Sequence, residues 1–126
     1  MTISSDHLRW VLEAARAADA KKAVDTIIID VGEVLAVTDH FVVTNGTNAR
    51  QVKAIAEGVE KDLKDAGGPA PVRIEGADGR QWVLLDYGGF VVHVFDSELR
   101  DFYSLERLWG DRPRVDWQAA GVSEAR

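Results

Sequence analysis

The chain contains no cysteine. That absence removes disulfides, thiolate-bound zinc and thiol nucleophiles together, and it fits a reducing compartment. Nor does any stretch approach the roughly 20 apolar residues that a membrane-spanning helix needs. The opening residues, Met1-Thr-Ile-Ser-Ser-Asp-His7, lack the basic-then-apolar order of a secretory leader. A soluble, cytoplasmic protein is the expectation. Bases are missing over two long stretches as well. No lysine or arginine lies between Ala23 and Ala49 or between Gln81 and Leu99, yet Asp25, Asp30, Glu33, Asp39, Asp86, Asp96 and Glu98 do. Nucleic-acid binders neutralise phosphates with clustered Lys and Arg, so no direct nucleic-acid binding is expected from these segments. With 15 Lys and Arg against 21 Asp and Glu, a net charge of −6, the natural complement is a basic protein. Solubility alone accounts for an acidic balance equally well.

What is present is enough for one domain. A chain of 126 residues buries about two-thirds of the surface its unfolded form exposes and needs no covalent staple. Its organising stretch is Arg80–Trp109. Two apolar runs, Trp82–Tyr87 and Phe90–Phe95, flank Gly88-Gly89, which predicts a β-hairpin with a type I′ turn, both glycines at positive φ. Alternation sorts the hairpin into two faces. Val83, Leu85, Tyr87, Phe90, Val92 and Val94 form a core face. Trp82, Leu84, Asp86, Val91, His93 and Phe95 form a second face, apolar but carrying a carboxylate and an imidazole. A helix from about Ser97 follows, with Leu99, Phe102, Tyr103, Leu105, Leu108 and Trp109 at three- and four-residue spacing.

Upstream, residues 5–20 read as a helix with Ser4 or Ser5 as its cap and Lys21-Lys22 at its end. Thr26–Val31 reads as a strand buried on both faces, and Phe41–Thr44 as the next strand. Thr47 or Asn48 caps a second helix that stops at Gly67-Gly68, and Val72–Glu75 is a short strand. The order α-β-β-α-β-β-β-α predicts a single α/β (α+β) domain, a mixed five-stranded sheet flanked by helices. Residues 1–112 make that domain, and 113–126, without periodicity, read as a mobile tail to which Trp117 is the exception that could dock.

Two blocks carry a resemblance. One is Trp82-x-x-x-Asp86-x-Gly88, then Val92-His93-Val94-Phe95, then Arg100-x-Phe102-Tyr103-x-Leu105-Glu106-x-Leu108-Trp109. The other is Thr38-Asp39-His40-Phe41-Val42-Val43-Thr44-Asn45-Gly46-Thr47-Asn48-Ala49-Arg50-Gln51-Val52. In this order and spacing they resemble the ribosomal silencing factor (Iojap-related) family over roughly residues 8–112. The resemblance implies a nucleotidyltransferase-like topology without the catalytic carboxylates. It also implies a factor that binds the large ribosomal subunit through its protein fourteen, on the intersubunit face. There it would block the small subunit and repress translation when nutrients run short, with a homodimer possible when free. The second hairpin face offers Trp82, Leu84, Asp86, His93 and Phe95 as partner-binding residues, with Arg100 and Tyr103 secondary. Trp82 reads equally well as core packed on Phe95 or as a binding hot spot, and the resemblance implies the second. The chain departs from the family pattern at Gly89, where an acid is common, and in its longer tail.

Catalysis finds less support. Gly46-Thr47 opens a helix after a strand, where phosphate can bind. The alternative, a metal-dependent nucleotidyltransferase or nucleotide-binding protein, needs a carboxylate pair just beyond. Asn48-Ala-Arg-Gln-Val52 stands there instead, and there is no Walker loop or nucleophile elbow. Asp30 and Asp39 with His40 or His93 lack metal-ligand spacing and read better as turn residues. No enzyme, cofactor or metal is expected.

Overall fold

The computed structural model describes residues 2–32, 38–76, 81–97, 114, 115 and 117. Helix α1 (Thr2–Ala20) leads into β1 (Val24–Asp30), followed by β2 (His40–Gly46), α2 (Ala49–Asp65), β3 (Arg73–Glu75), β4 (Trp82–Asp86), β5 (Phe90–Asp96) and β6 (Arg114–Val115). They form one mixed sheet in the order β3-β4-β5-β2-β1-β6. Its centre is the parallel pair β2/β5, and the other pairs are antiparallel.

The hairpin has the register expected from sequence: Trp82 opposite Phe95, Val83 opposite Val94, Leu84 opposite His93, Leu85 opposite Val92, Asp86 opposite Val91. All six residues of the expected core face are buried in one cluster, which α1 supplies with Val11, Ala14, Ala15 and Ala18 and α2 with Val52, Ile55, Val59 and Leu63. Alanines on α1 let the two helices lie close over the sheet, because a small side chain holds backbones near each other.

Four local expectations are corrected. The turn is not type I′: only Gly88 has positive φ (+88°), the single left-handed first position that a type II′ turn requires. Bonds from outside the turn bias it, since Gly88 N–H donates to Asp86 Oδ1 at 2.8 Å and the Gly89 carbonyl accepts from Asp39 N–H at 2.8 Å. Helix α1 starts at Thr2, so Ser4 and Ser5 lie inside its first turn. Only Ile28 and Ile29 of β1 are buried on both faces; its early residues are exposed or half-buried. Finally, the sheet gains a sixth strand. Val115 and Arg114 pair with Ile28 and Ile29, and the Trp117 indole N–H donates to the Thr26 carbonyl at 3.0 Å. These tail residues cover what would otherwise be an open β1 edge, an unpaired row of donors and acceptors. The rest of the expected tail, and the helix expected beyond Ser97, lie outside the described residues.

Candidate protein-docking face

Opposite α1 and α2, the sheet carries a second, smaller apolar cluster. Ile29, Val31, Val43 and Phe95 are buried there, with Ile27, Phe41 and Trp82 packed against them. The β4/β5 register sets Trp82, Leu84 and Asp86 on this face beside Phe95, His93 and Val91. The parallel β2/β5 register puts Val43 opposite His93 and Phe41 opposite Val91.

Trp82 is half-buried and fixed at two points. Its ring stacks on Phe95 with centroids 4.9 Å apart and 27° between planes. Its Nε1–H donates to His93 Nδ1 at 3.2 Å. His93 is 6% exposed, and Phe41 meets its ring edge-on at 4.6 Å. Burial pushes the imidazole pKa down from 6.5 to about 4, because a charged ring loses its hydration there. The ring is therefore neutral at neutral pH. With Nδ1 accepting from the indole, the proton sits on Nε2, and that buried atom has no hydrogen-bond partner.

Asp86 is held on both oxygens: Oδ1 accepts from Gly88 N–H, and Oδ2 from Arg73 Nη2 at 3.1 Å. The same guanidinium reaches Glu75 through Nε at 3.0 Å. Between these groups the face is concave. A cavity of about 470 Å³ is lined by Thr38, Phe41, Val72, Arg73, Leu84, Asp86, Gly88, Val91 and His93. Ligand sites commonly look like this, mostly apolar with a few placed polar groups.

Of the seven expected contact residues, the fold brings five together: Trp82, Leu84, Asp86, His93 and Phe95. Phe95 requires correction, because it is 0% exposed; it is the platform under the indole and offers no surface to a partner. His93 is an inner wall reached only through the cavity. Arg100 and Tyr103 lie outside the described residues. Thr38, Phe41, Val72 and Arg73 were missed. Arg73 could have been found by pairing β3 with β4, which sets it opposite Asp86. Thr38 and Phe41 depend on the β2/β5 crossover, for which no local signal exists.

The start of α2 is committed to its own fold. Asn48 Oδ1 accepts from Gln51 N–H at 2.9 Å, and Gln51 Oε1 accepts from Thr47 N–H at 2.7 Å and from Thr47 Oγ1 at 2.8 Å. Gln51 Nε2 also donates to the Lys21 and Lys22 carbonyls. A Cβ at Gly46 would meet Val52 N at 2.9 Å, so glycine is there to let strand and helix approach. These contacts use amides that a phosphate would need. Asp30 Oδ1 accepts from Gly32 N–H at 3.1 Å, the turn role. Among the described residues no three His, Asp or Glu side chains gather as a metal site.

Known proteins place this arrangement in context. The family model described as "Ribosomal silencing factor during starvation" matches residues 4–126. The ribosomal silencing factor of Bacillus subtilis is 43% identical over 103 residues, spanning 82% of this chain and 86% of that protein. The crystal structure of a Chromobacterium violaceum protein superimposes with a TM-score of 0.77 at 37% identity, covering 82% of this chain and 85% of that one. A mouse protein called "Mitochondrial assembly of ribosomal large subunit protein 1" is 36% identical over 107 residues, 82% of this chain but 46% of its own length. The resemblance first carried by two sequence blocks thus extends over nearly the whole chain, and the chain belongs to the ribosomal silencing factor family.

Proposed function

We propose that this protein binds the large ribosomal subunit through its protein fourteen and occupies space that the small subunit requires, so lowering translation under starvation. The observation that carries the reading is the tethered indole: a half-buried Trp82, stacked on Phe95 and bonded to His93, a wall of the apolar cavity. A tryptophan held rigid beside a leucine and a carboxylate is the usual anatomy of a binding hot spot, because little side-chain entropy remains to be lost. Strands β2, β4 and β5 carry no lysine or arginine, and Arg73 of β3 is already paired with Asp86 and Glu75, which suits a basic ribosomal surface. Nothing in this reading needs a reaction: a bound domain acts by volume. The same apolar face is a candidate for self-association in the free protein, in the cytoplasm where ribosomes work.

The test is binding to isolated large subunits on sucrose gradients, with small subunits added second. Wild-type protein is expected to comigrate with large subunits and reduce formation of the joined particle. Trp82→Ala is expected to lose at least about 2 kcal/mol of binding, the scale of a hot-spot truncation. Wild-type affinity in a folded Trp82→Ala protein would remove the indole from the site.

A further inference from the structure

The docking face contains two buried polar atoms that the fold itself leaves unused. Thr38 Oγ1 and His93 Nε2 are shielded from solvent without a hydrogen-bond partner, and both residues line the same cavity. Buried polar groups are nearly always satisfied, so two orphans in one concavity are an unusual combination. Their chemistry is directional. His93 Nδ1 already accepts the Trp82 indole proton, so in the neutral ring Nε2 can only donate. Thr38 hydroxyl can also donate. Phe41, Leu84 and Val91 supply apolar walls around them.

We propose that the cavity receives an uncharged oxygen acceptor from the docked protein, a main-chain carbonyl, an amide side chain or a hydroxyl, which bonds His93 Nε2–H and Thr38 Oγ1. The proposal rests on the large-subunit reading above and specifies what enters the site. Charge argues for a neutral oxygen. A lysine or arginine tip would bring a donor against the His93 donor. A carboxylate or phosphate would find Arg73 already paired with Asp86 and Glu75, in a chain of net charge −6. The tethered indole and the acceptor pocket are one device, since the bond that fixes Trp82 also fixes which imidazole nitrogen carries the proton.

Thr38→Val tests this directly, because it keeps the shape and deletes the hydroxyl. In the free protein it removes an unsatisfied buried group, so the denaturation midpoint is expected to stay the same or rise. Binding to purified large subunits is expected to weaken about ten-fold, the scale of one lost hydrogen bond with its acceptor left dry. Thr38→Ser, which retains the hydroxyl, is expected to bind within about three-fold of wild type. Undiminished binding by Thr38→Val, or equal loss in Thr38→Ser, overturns the proposal while leaving the ribosomal reading intact. Wild-type protein that fails to bind large subunits removes both. A loss seen with whole subunits but not with isolated protein fourteen assigns the acceptor to ribosomal RNA and also overturns it. Side-chain nitrogen NMR of the free protein is a second arm: His93 protonated on Nε2 is expected, and protonation on Nδ1 would contradict the donor assignment.

Discussion

Leu84 and Leu85 are chain neighbours on β4, yet they live on opposite faces of the sheet and do different work. Leu85 points toward α1 and α2 and is 0% exposed; Leu84 is half-buried at a cavity. On Leu85's side the strand residues share one cluster with α1 and α2, and Tyr87 Oη is the buried hydroxyl there without a partner among the described residues. On Leu84's side aliphatic Ile29, Val31 and Val43 lie among aromatic and polar residues, and two buried polar atoms without partners, Thr38 Oγ1 and His93 Nε2, belong to residues of one cavity. One face is optimised for stability. The other gathers two unsatisfied polar atoms and half-buried apolar side chains around one concavity, and departures of this kind from local rules are commonest at functional sites.

Substitutions at the two leucines should separate these roles most sharply. Leu85→Ala is expected to cost about 3–5 kcal/mol of stability, the cost of a cavity in a packed core, read from denaturant midpoints. Leu84→Ala should cost much less stability, about 1 kcal/mol, since only part of its area leaves water on folding, while weakening large-subunit binding measurably. Equal stability losses at both positions would dissolve the distinction between the faces.

Acidification probes the second face next. His93 has its folded pKa lowered from 6.5 to about 4 by burial, so across that window the unfolded chain binds more protons than the folded one. Stability therefore rises with pH there: it is fully present above about 6.5 and falls as pH drops toward 4, by roughly 3 kcal/mol at about 1.4 kcal/mol per unit. A His93→Gln protein is expected to show a correspondingly flatter acid limb in urea unfolding between those values. Identical limbs would mean the imidazole titrates as if exposed.

The smallest effect lies under the helix-covered face, where α1 and α2 end in the same way. At α2, Gly68 N–H donates to the Leu63 carbonyl and Gly67 N–H to Lys64, with Gly67 at φ +87°. At α1, Ala23 N–H donates to Ala18 and Lys22 N–H to Asp19, with Lys22 at φ +68°. Both are Schellman ends, but one uses a residue whose Cβ resists that conformation. Lys22→Gly should raise stability by about 0.5–1 kcal/mol; no change, or a loss, would show that Lys22 is not strained.

Much of this architecture is legible in the amino-acid sequence. Period-two alternation around Gly88-Gly89 specified the hairpin register and both of its faces, because a one-residue slip would exchange core and solvent sides. A cap at Thr47 or Asn48 and a stop at Gly67-Gly68 are legible from local end chemistry, and the helix uses Asn48 as its cap. What escaped were features decided by distant chain segments. The turn type depends on Asp39 bonding to Gly89, and the sixth strand on Val115 finding the β1 edge. The burial of Phe95 depends on Val43 and Ile29, strands away in the sequence. Alternation told which residues share a face with Trp82, but not which of them a neighbouring strand would seal. Thr38 gave no signal, since its place at the cavity exists only after β2 and β5 pair in parallel.

The central claim is that the face carrying Trp82 grips the large ribosomal subunit. Gradient sedimentation of wild-type and Trp82→Ala proteins with isolated subunits tests it most directly. Comigration of the wild type with large subunits, fewer joined particles, and loss of both effects in a folded Trp82→Ala protein is the predicted result. Wild-type protein remaining at the top of the gradient, or a mutant that sediments and blocks joining as wild type does, would contradict it.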